Sequence, residues 1–317
     1  MIDAFGPIES NLGQAIAQNR VAHAYLFLGP EAVGKFQFAL RFAQALICKK
    51  GNFPPCQECP DCKQILARTH PDLHLLEVGS EEKQIKIDEV REFQKQLSYR
   101  PFQASWKVGM IKEAEKLTIQ AMNSLLKTLE EPLPNTVLIL TCSNRSRLLS
   151  TVVSRCQILR FPPVRNEVLV EILLREQNLS PEKAKLVANY AEGSLEKIDE
   201  LVPLMEQRRK FLENWLTVHS KNPVEGFELT QSSAFVKNLR VYLDFFLNWY
   251  RDLIRIKLNL SPEFNPDFEL ELKAEGQRLT REQIISSLDL LLKLEEEMIS
   301  FNLNPQTIGE QIFFELR

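Results

Sequence analysis

The sequence predicts an α/β domain built on a doubly wound parallel sheet, followed by units made only of helices. Three observations carry this expectation. In the first half, short apolar runs alternate with stretches of helical period, and continuously apolar strands belong to sheets covered on both faces. The first run, residues 24–28, leads into Gly29-Pro30-Glu31-Ala32-Val33-Gly34-Lys35 and then a helical pattern over 36–47. Strand, glycine-framed loop and helix is the setting of a P-loop, in which backbone N–H groups cradle a phosphate and the lysine adds a point charge. Beyond Pro162-Pro163 the period is helical to the end of the sequence.

Length and composition fit this division. At 317 residues the chain is long for one core, so two or three domains are expected. Only 11 residues are glycine, which favours helix. A net charge of −3 gives no global drive toward nucleic acid or acidic lipid. No apolar run reaches the roughly 18 residues of a membrane span. The opening MIDAFGPIES has neither a basic leader nor an apolar signal core. With clustered cysteines, this leads us to expect a cytoplasmic protein.

In chain order, residues 7–20 read as a helix with Ile8, Leu12, Ala15 and Ile16 on one face. After the P-loop helix come a cysteine-rich loop over 48–62 and a short helix over 62–68. His70-Pro71-Asp72 opens a second strand over 73–78. Residues 87–99 are helical with Val90, Phe93 and Leu97 inward, and 107–111 form a third strand. Thr118 caps a helix that runs to Glu130 and stops before Pro132. A fourth strand over 136–140, a short helix over 148–155 and a fifth strand over 157–161 complete the sheet. Asn166 is expected to cap the next helix, with starts at Ser180-Pro181-Glu182 and Gly193-Ser194. The loop 220–232 and the stretch 262–267 separate later helices. The aromatic-rich segment from Phe235 to Leu258 reads as bundle core, and Arg208-Arg209-Lys210 and Glu295-Glu296-Glu297 as solvated faces.

Cys48, Cys56, Cys59 and Cys62 form C-x7-C-x2-C-x2-C. Four soft thiolates suit a closed, tetrahedral, structural Zn²⁺ site, with no open position for catalysis. An iron–sulfur cluster fits less well, because Leu66 stands where the ferredoxin run needs another cysteine. Cys142 and Cys156 read as small buried apolar residues. The P-loop lacks one group. A hydroxyl should follow the lysine to hold Mg²⁺, and here that residue is Phe36.

Several stretches together resemble the AAA+ clamp-loader ATPases. The helix Ala121-Met122-Asn123-Ser124-Leu125-Leu126-Lys127-Thr128-Leu129-Glu130-Glu131-Pro132 is similar to their long helix, and Ser154-Arg155-Cys156 to their Ser-Arg-Cys motif. The cysteine loop resembles the zinc module of the bacterial versions, whose first gap is usually one residue longer. His70-Pro71-Asp72 resembles the bacterial delta prime and gamma/tau subunits of DNA polymerase III, and Asn302-Leu303-Asn304-Pro305 their collar. The resemblance is specific over residues 1 to about 200. It implies an AAA+ P-loop domain over 1–162, a small helical lid over 163–204 and a helical collar for oligomerisation over 205–317.

Departures from the family pattern indicate which subunit is resembled. Phe36 replaces the hydroxyl, Lys112 stands where the third strand should end in Asp, and Glu196 follows Gly193-Ser194-Leu195 where an arginine is usual. Gly29, Gly34, Lys35 and Arg155 are retained. The combination resembles delta prime, a stator that hydrolyses no ATP and supplies Arg155 as an arginine finger to a neighbour. Implied partners are gamma/tau and delta subunits, with the sliding clamp and primer-template DNA met through the complex. ATP with Mg²⁺ is not expected as a cofactor. The alternative is a gamma/tau-like subunit that binds or hydrolyses ATP, for which Lys35, Thr141 and Asn144 speak. No acidic cluster with nuclease or polymerase spacing is visible, so polymerase activity would belong to the holoenzyme.

Overall fold

The computed structural model describes residues 5–79, 84–221, 228, 230–301 and 304–316. Contacts group the chain into two compact units, Met1–Ile172 with Glu192–Lys197, and Leu173–Ala191 with Ile198–Arg317.

The first unit is organised by a parallel sheet of five strands, β1 (Ala24–Leu28), β2 (Leu73–Leu76), β3 (Lys107–Ile111), β4 (Thr136–Cys142) and β5 (Gln157–Arg160), in the order β2-β3-β4-β1-β5. Its helices are α1 (Gly6–Ala17), α2 (Lys35–Ile47), α3 (Pro60–Leu66), α4 (Ile87–Ser98), α5 (Ile119–Glu130) and α6 (Ser150–Val153). The pleat explains why β1 is apolar throughout. Ala24 and Leu26 point into a core shared with Val90, Phe93 and Leu97 of α4 and Leu125 and Leu129 of α5. Tyr25 and Phe27 point the other way, into an aromatic cluster with Phe38 and Phe42 of α2. Each residue of β1 therefore meets a packed layer, as a doubly wound sheet requires.

The structure trims several expected elements. The first helix ends at Ala17, because Asn19 turns the chain through a left-handed conformation, φ 51°. β2 stops at Leu76, whose carbonyl accepts the Lys112 N–H at 2.9 Å. β4 instead gains two residues, reaching Cys142. The helix expected over 148–155 shrinks to α6, since Arg155 and Cys156 close tight i→i−3 bonds onto Val152 and Val153. Thr118 caps α5 as expected, its Oγ1 accepting from Ala121 N at 3.2 Å.

Beyond the sheet the chain continues through α7 (Asn166–Glu176), α8 (Pro181–Ala191), α9 (Ile198–Lys221), α10 (Ser233–Lys237), α11 (Leu239–Lys257), α12 (Glu269–Arg278), α13 (Arg281–Phe301) and α14 (Pro305–Glu315). Asn166 is the first helical residue of α7 and not its cap; the Arg165 carbonyl receives the first N–H groups. α9 begins at Ile198, four residues beyond the expected Ser194. In the second unit the rings of Phe211, Phe235, Tyr242, Phe245 and Phe246 pack together, with Phe211 and Tyr242 stacked at 4.1 Å. The core reading of 235–258 holds up to Leu253, whereas Leu258 is 55% exposed.

One expectation is overturned here. Arg208 is not on a solvated face but fully buried. Its guanidinium donates to Tyr190 Oη, to Asn265 Oδ1 and, bidentately, to Asp267 at 2.7 and 3.0 Å. Arg209, next in sequence, does face solvent and pairs with Glu213. Most of the expected loop 220–232 lies outside the described residues, as do Asn302 and Leu303. Among the described residues no helix is long and apolar enough to cross a membrane.

Candidate nucleotide cleft, arginine and metal centre

The P-loop leaves the carboxyl end of β1, between β4 and β5. Two glycines make its shape possible. A Cβ on Gly29 would lie 2.1 Å from the Phe161 carbonyl oxygen, and Gly34 caps α2 at φ 95°. Lys35 turns back into the loop and donates to the Gly29 carbonyl at 2.8 Å and to the Pro30 carbonyl. Burial pulls its ammonium below the usual lysine range, against the opposing pull of Glu115 and Glu196.

The loop opens on a cleft of about 220 Å³ lined by Glu31, Lys35, Phe36, Lys112, Glu115 and Glu196, among others. Phe36 is 6% exposed, with Arg68 Cζ 4.9 Å and Lys112 Nζ 5.4 Å from its ring centroid. Two cations thus share one aromatic ring, where the P-loop pattern has a hydroxyl and a divalent metal. Glu113 takes a left-handed φ of 54°; its N–H donates to Thr141 Oγ1 at 3.0 Å and its carboxylate pairs with Lys116. Glu115 is raised by burial, but hydrogen bonds from the Ser143 side chain and N–H bring it net below the usual carboxylate range. Glu113 and the Oε1 of Glu115 are therefore engaged with protein groups, whereas Glu115 Oε2 is buried without a hydrogen-bond partner.

The segment carrying Glu196 is stitched to the P-loop. Ser194 Oγ donates to the Ala32 carbonyl at 2.8 Å, and Glu196 N donates to the same oxygen at 3.0 Å. Ala32 itself is left-handed, φ 56°. These bonds explain why α9 starts late.

Arg155 lies just past α6, on the surface of the unit. Its Nη2 pairs with Glu130 Oε1 at 2.6 Å, and its Nη1 donates to the Thr151 carbonyl at 2.8 Å. The Arg155 side chain is 34% exposed.

The sulfurs of Cys48, Cys56, Cys59 and Cys62 all lie within 4.8 Å of one another. Cys48–Cys56 is 3.4 Å and Cys56–Cys62 is 3.8 Å. A tetrahedron with metal–sulfur bonds near 2.3 Å has edges of about 3.8 Å, so the donor set fits a tetrahedral ion. All four are free thiols. Backbone N–H groups of Cys59 and Glu58 draw the Cys56 thiol down to about 6, while burial pushes Cys62 up. Cys48 caps α2 and Cys59 caps α3, so the cluster ties two helix ends together. Cys142 is fully buried, Cys156 half-buried, and burial pushes each thiol up to about 12.

These features have counterparts in known proteins. The family described as DNA polymerase III, delta subunit, matches residues 7–165. DNA polymerase III subunit delta' of Bacillus subtilis is 31% identical over 316 residues, covering 96% of this chain and 94% of its own. The chain belongs to the DNA polymerase III delta prime family. The delta' subunit of Pseudomonas aeruginosa is likewise 31% identical, over 92% of this chain and 90% of its own. The tau subunit of Bacillus subtilis is 30% identical over 69% of this chain but only 39% of its own length. A crystallised gamma subunit-related protein from Thermotoga maritima shares the fold, with TM-score 0.52, 20% identity, and 97% of this chain and 98% of that one covered. The resemblance to DNA polymerase III delta prime and gamma/tau subunits holds, as does the parallel α/β fold expected from the sequence.

Sequence reading missed the role of Asp72 in the delta prime fold. The carboxylate is completely buried and accepts the backbone N–H groups of Phe102, Gln103 and Ala104, the last two at 2.9 Å. His70 is also buried, its Nδ1 accepting from Asp72 N at 3.1 Å. His70-Pro71-Asp72 thus pins the loop entering β3. Asp252 does the same in the second unit, accepting from the N–H groups of Glu263, Phe264 and Asn265.

Proposed function

We propose that this chain is a clamp-loader subunit that hydrolyses no ATP itself and lends Arg155 to the ATP site of a neighbour. The observation that carries the first half is the Arg68–Phe36–Lys112 stack. A fixed ammonium occupies the neighbourhood in which Mg²⁺ would need oxygen ligands, and Phe36 offers none. Surface placement of Arg155, at the end of a short helix, supports the second half.

Gamma/tau and delta subunits are the partners in this reading, and sliding clamp and primer-template DNA are met through the complex. Cys48, Cys56, Cys59 and Cys62 hold a structural Zn²⁺, whose chemistry is to cross-link the loop. We divide the chain into the P-loop domain 1–162, a lid 163–204 and a collar 205–317, and assign it to the cytoplasm. The retained geometry of Gly29, Gly34 and Lys35 favours a second reading, a gamma/tau-like subunit that binds or hydrolyses ATP.

Titration of the isolated chain with ATP, with and without Mg²⁺, separates the two. The stator reading expects no Mg²⁺-dependent binding and no turnover. Mg²⁺-dependent binding followed by ADP release would establish the second reading. Mixing the chain with gamma/tau and delta and measuring the complex mass tests the partners.

A further inference from the structure

The contact that holds Arg155 in place comes from α5. Glu130 is the last residue of that helix and its Oε1 lies 2.6 Å from Arg155 Nη2. The Thr151 carbonyl takes a hydrogen bond from Nη1 at 2.8 Å, and Ser154 Oγ lies 3.4 Å from the same nitrogen. All three contacts gather at the two terminal nitrogens. A guanidinium carries five N–H groups in a rigid plane, so anchoring its two terminal nitrogens fixes the direction of the remaining donors on a side chain that is 34% exposed. A free arginine side chain, by contrast, must lose up to about 2 kcal/mol of rotamer freedom before it can act.

We propose that Glu130 is a positioning residue for Arg155: it anchors one side of the guanidinium so that the remaining donors are presented to a phosphate of the neighbouring subunit. This rests on the arginine-finger reading above. Glu130 touches no reacting atom and acts only through Arg155. Its carboxylate is half-exposed, so the pair adds little to folding, and its contribution is orientation. The helix it ends packs into the core beneath β3 and β4 through Leu125 and Leu129, which makes the anchor rigid.

The test is a double-mutant cycle in the complex reconstituted with gamma/tau, delta, clamp and primed DNA. Steady-state ATPase is read as kcat and KM for Arg155→Ala, Glu130→Ala and the double variant, with complex mass and thermal melting checked for each. The expected result is a fall in kcat on the order of tenfold for Glu130→Ala, with KM, mass and melting unchanged. The double variant should lose no more than Arg155→Ala alone. Glu130→Gln keeps an acceptor oxygen and should recover most of the rate. If Arg155→Ala lowers kcat while Glu130→Ala does not, or if the two losses multiply, Glu130 does not act through Arg155 and the inference is overturned. A kcat raised by Glu130→Ala would make Glu130 a restraint, which also overturns it. An unchanged rate with Arg155→Ala removes the finger reading itself, and this inference with it.

Discussion

The Lys112 ammonium stands 5.4 Å from the centroid of the Phe36 ring, with the Arg68 guanidinium 4.9 Å from the same centroid. This places two obstacles beside the P-loop: a phenyl ring where the pattern has a metal-binding hydroxyl, and a cation that would repel Mg²⁺. With the Arg68 side chain 46% exposed, each cation–π pair is worth about 0.5 to 1 kcal/mol, which favours the arrangement of the ring and the two cations. Phe36→Thr alone is therefore expected to leave the isolated chain without ATP turnover, because Lys112 still opposes the metal. A phosphate-release assay checks this. Turnover by Phe36→Thr alone, or by the unaltered chain, would contradict the stack's role.

The cysteine cluster carries a separate expectation. Purified protein should contain one Zn²⁺ per chain by elemental analysis, and a chelator should lower its thermal midpoint. Cys59→Ser should abolish stoichiometric zinc and loosen the segment between α2 and α3, while far-UV circular dichroism retains the helical signal of the second unit. Iron absorbance in place of zinc would refute the assignment.

Asp72 predicts a pH dependence. Burial raises its carboxyl, but the three N–H donors from Phe102, Gln103 and Ala104 bring it net below the ordinary 3.8. A depressed folded-state value means that the carboxylate stabilises the fold above pH 3.8 and loses that contribution as pH falls through the lower folded value. Asp72→Ala is expected to cost roughly 3 kcal/mol near neutral pH, since three buried N–H groups lose an ionised acceptor. Asp72→Asn cannot ionise, so its deficit relative to the native chain should shrink on acidification. Urea unfolding at pH 7 and pH 3 measures both, and a deficit independent of pH would contradict the argument.

Arg208 should be among the most sensitive residues of the second unit. Arg208→Ala removes a large buried side chain and leaves Asn265 Oδ1 with only the Tyr190 hydroxyl as donor, while Asp267, 29% exposed, can turn to water; the expected cost is roughly 2 to 3 kcal/mol. Arg209→Ala, one residue away and paired only with Glu213 at the surface, should change stability by less than about 1 kcal/mol. Equal effects of the two substitutions would contradict the burial argument.

These two arginines show what the sequence made legible and what it did not. β1 and β3 run over the expected residues because an apolar run covered on both faces leaves a local signature. The P-loop, the four cysteines and Ser154-Arg155-Cys156 are short motifs with fixed spacing, so they can be picked out without a structure. Arg208 sits in a basic triplet, and its partners Asn265 and Asp267 lie 57 and 59 residues away, a pairing no local pattern announces. Asp72 is similar. Its motif was visible, but the backbone groups it holds start 30 residues further on. Lys112 was read as a lost carboxylate; only the fold brings it onto the Phe36 ring together with Arg68.

In the function proposed here, the chain gives an arginine to another subunit's reaction and performs none of its own. The most direct measurement is the steady-state ATPase of the complex reconstituted with gamma/tau, delta, clamp and primed DNA, comparing the native chain with Arg155→Ala. Arginine fingers in GTPases contribute roughly 10³ to 10⁵ in rate, and the visible loss would be smaller in an assembly with several ATP sites. A clear fall in turnover is expected with complex mass and zinc content unchanged, and no recovery with Arg155→Lys, whose point charge lacks the planar fork. Turnover equal to that of the native complex would contradict it, leaving Arg155 as half of a surface ion pair with Glu130.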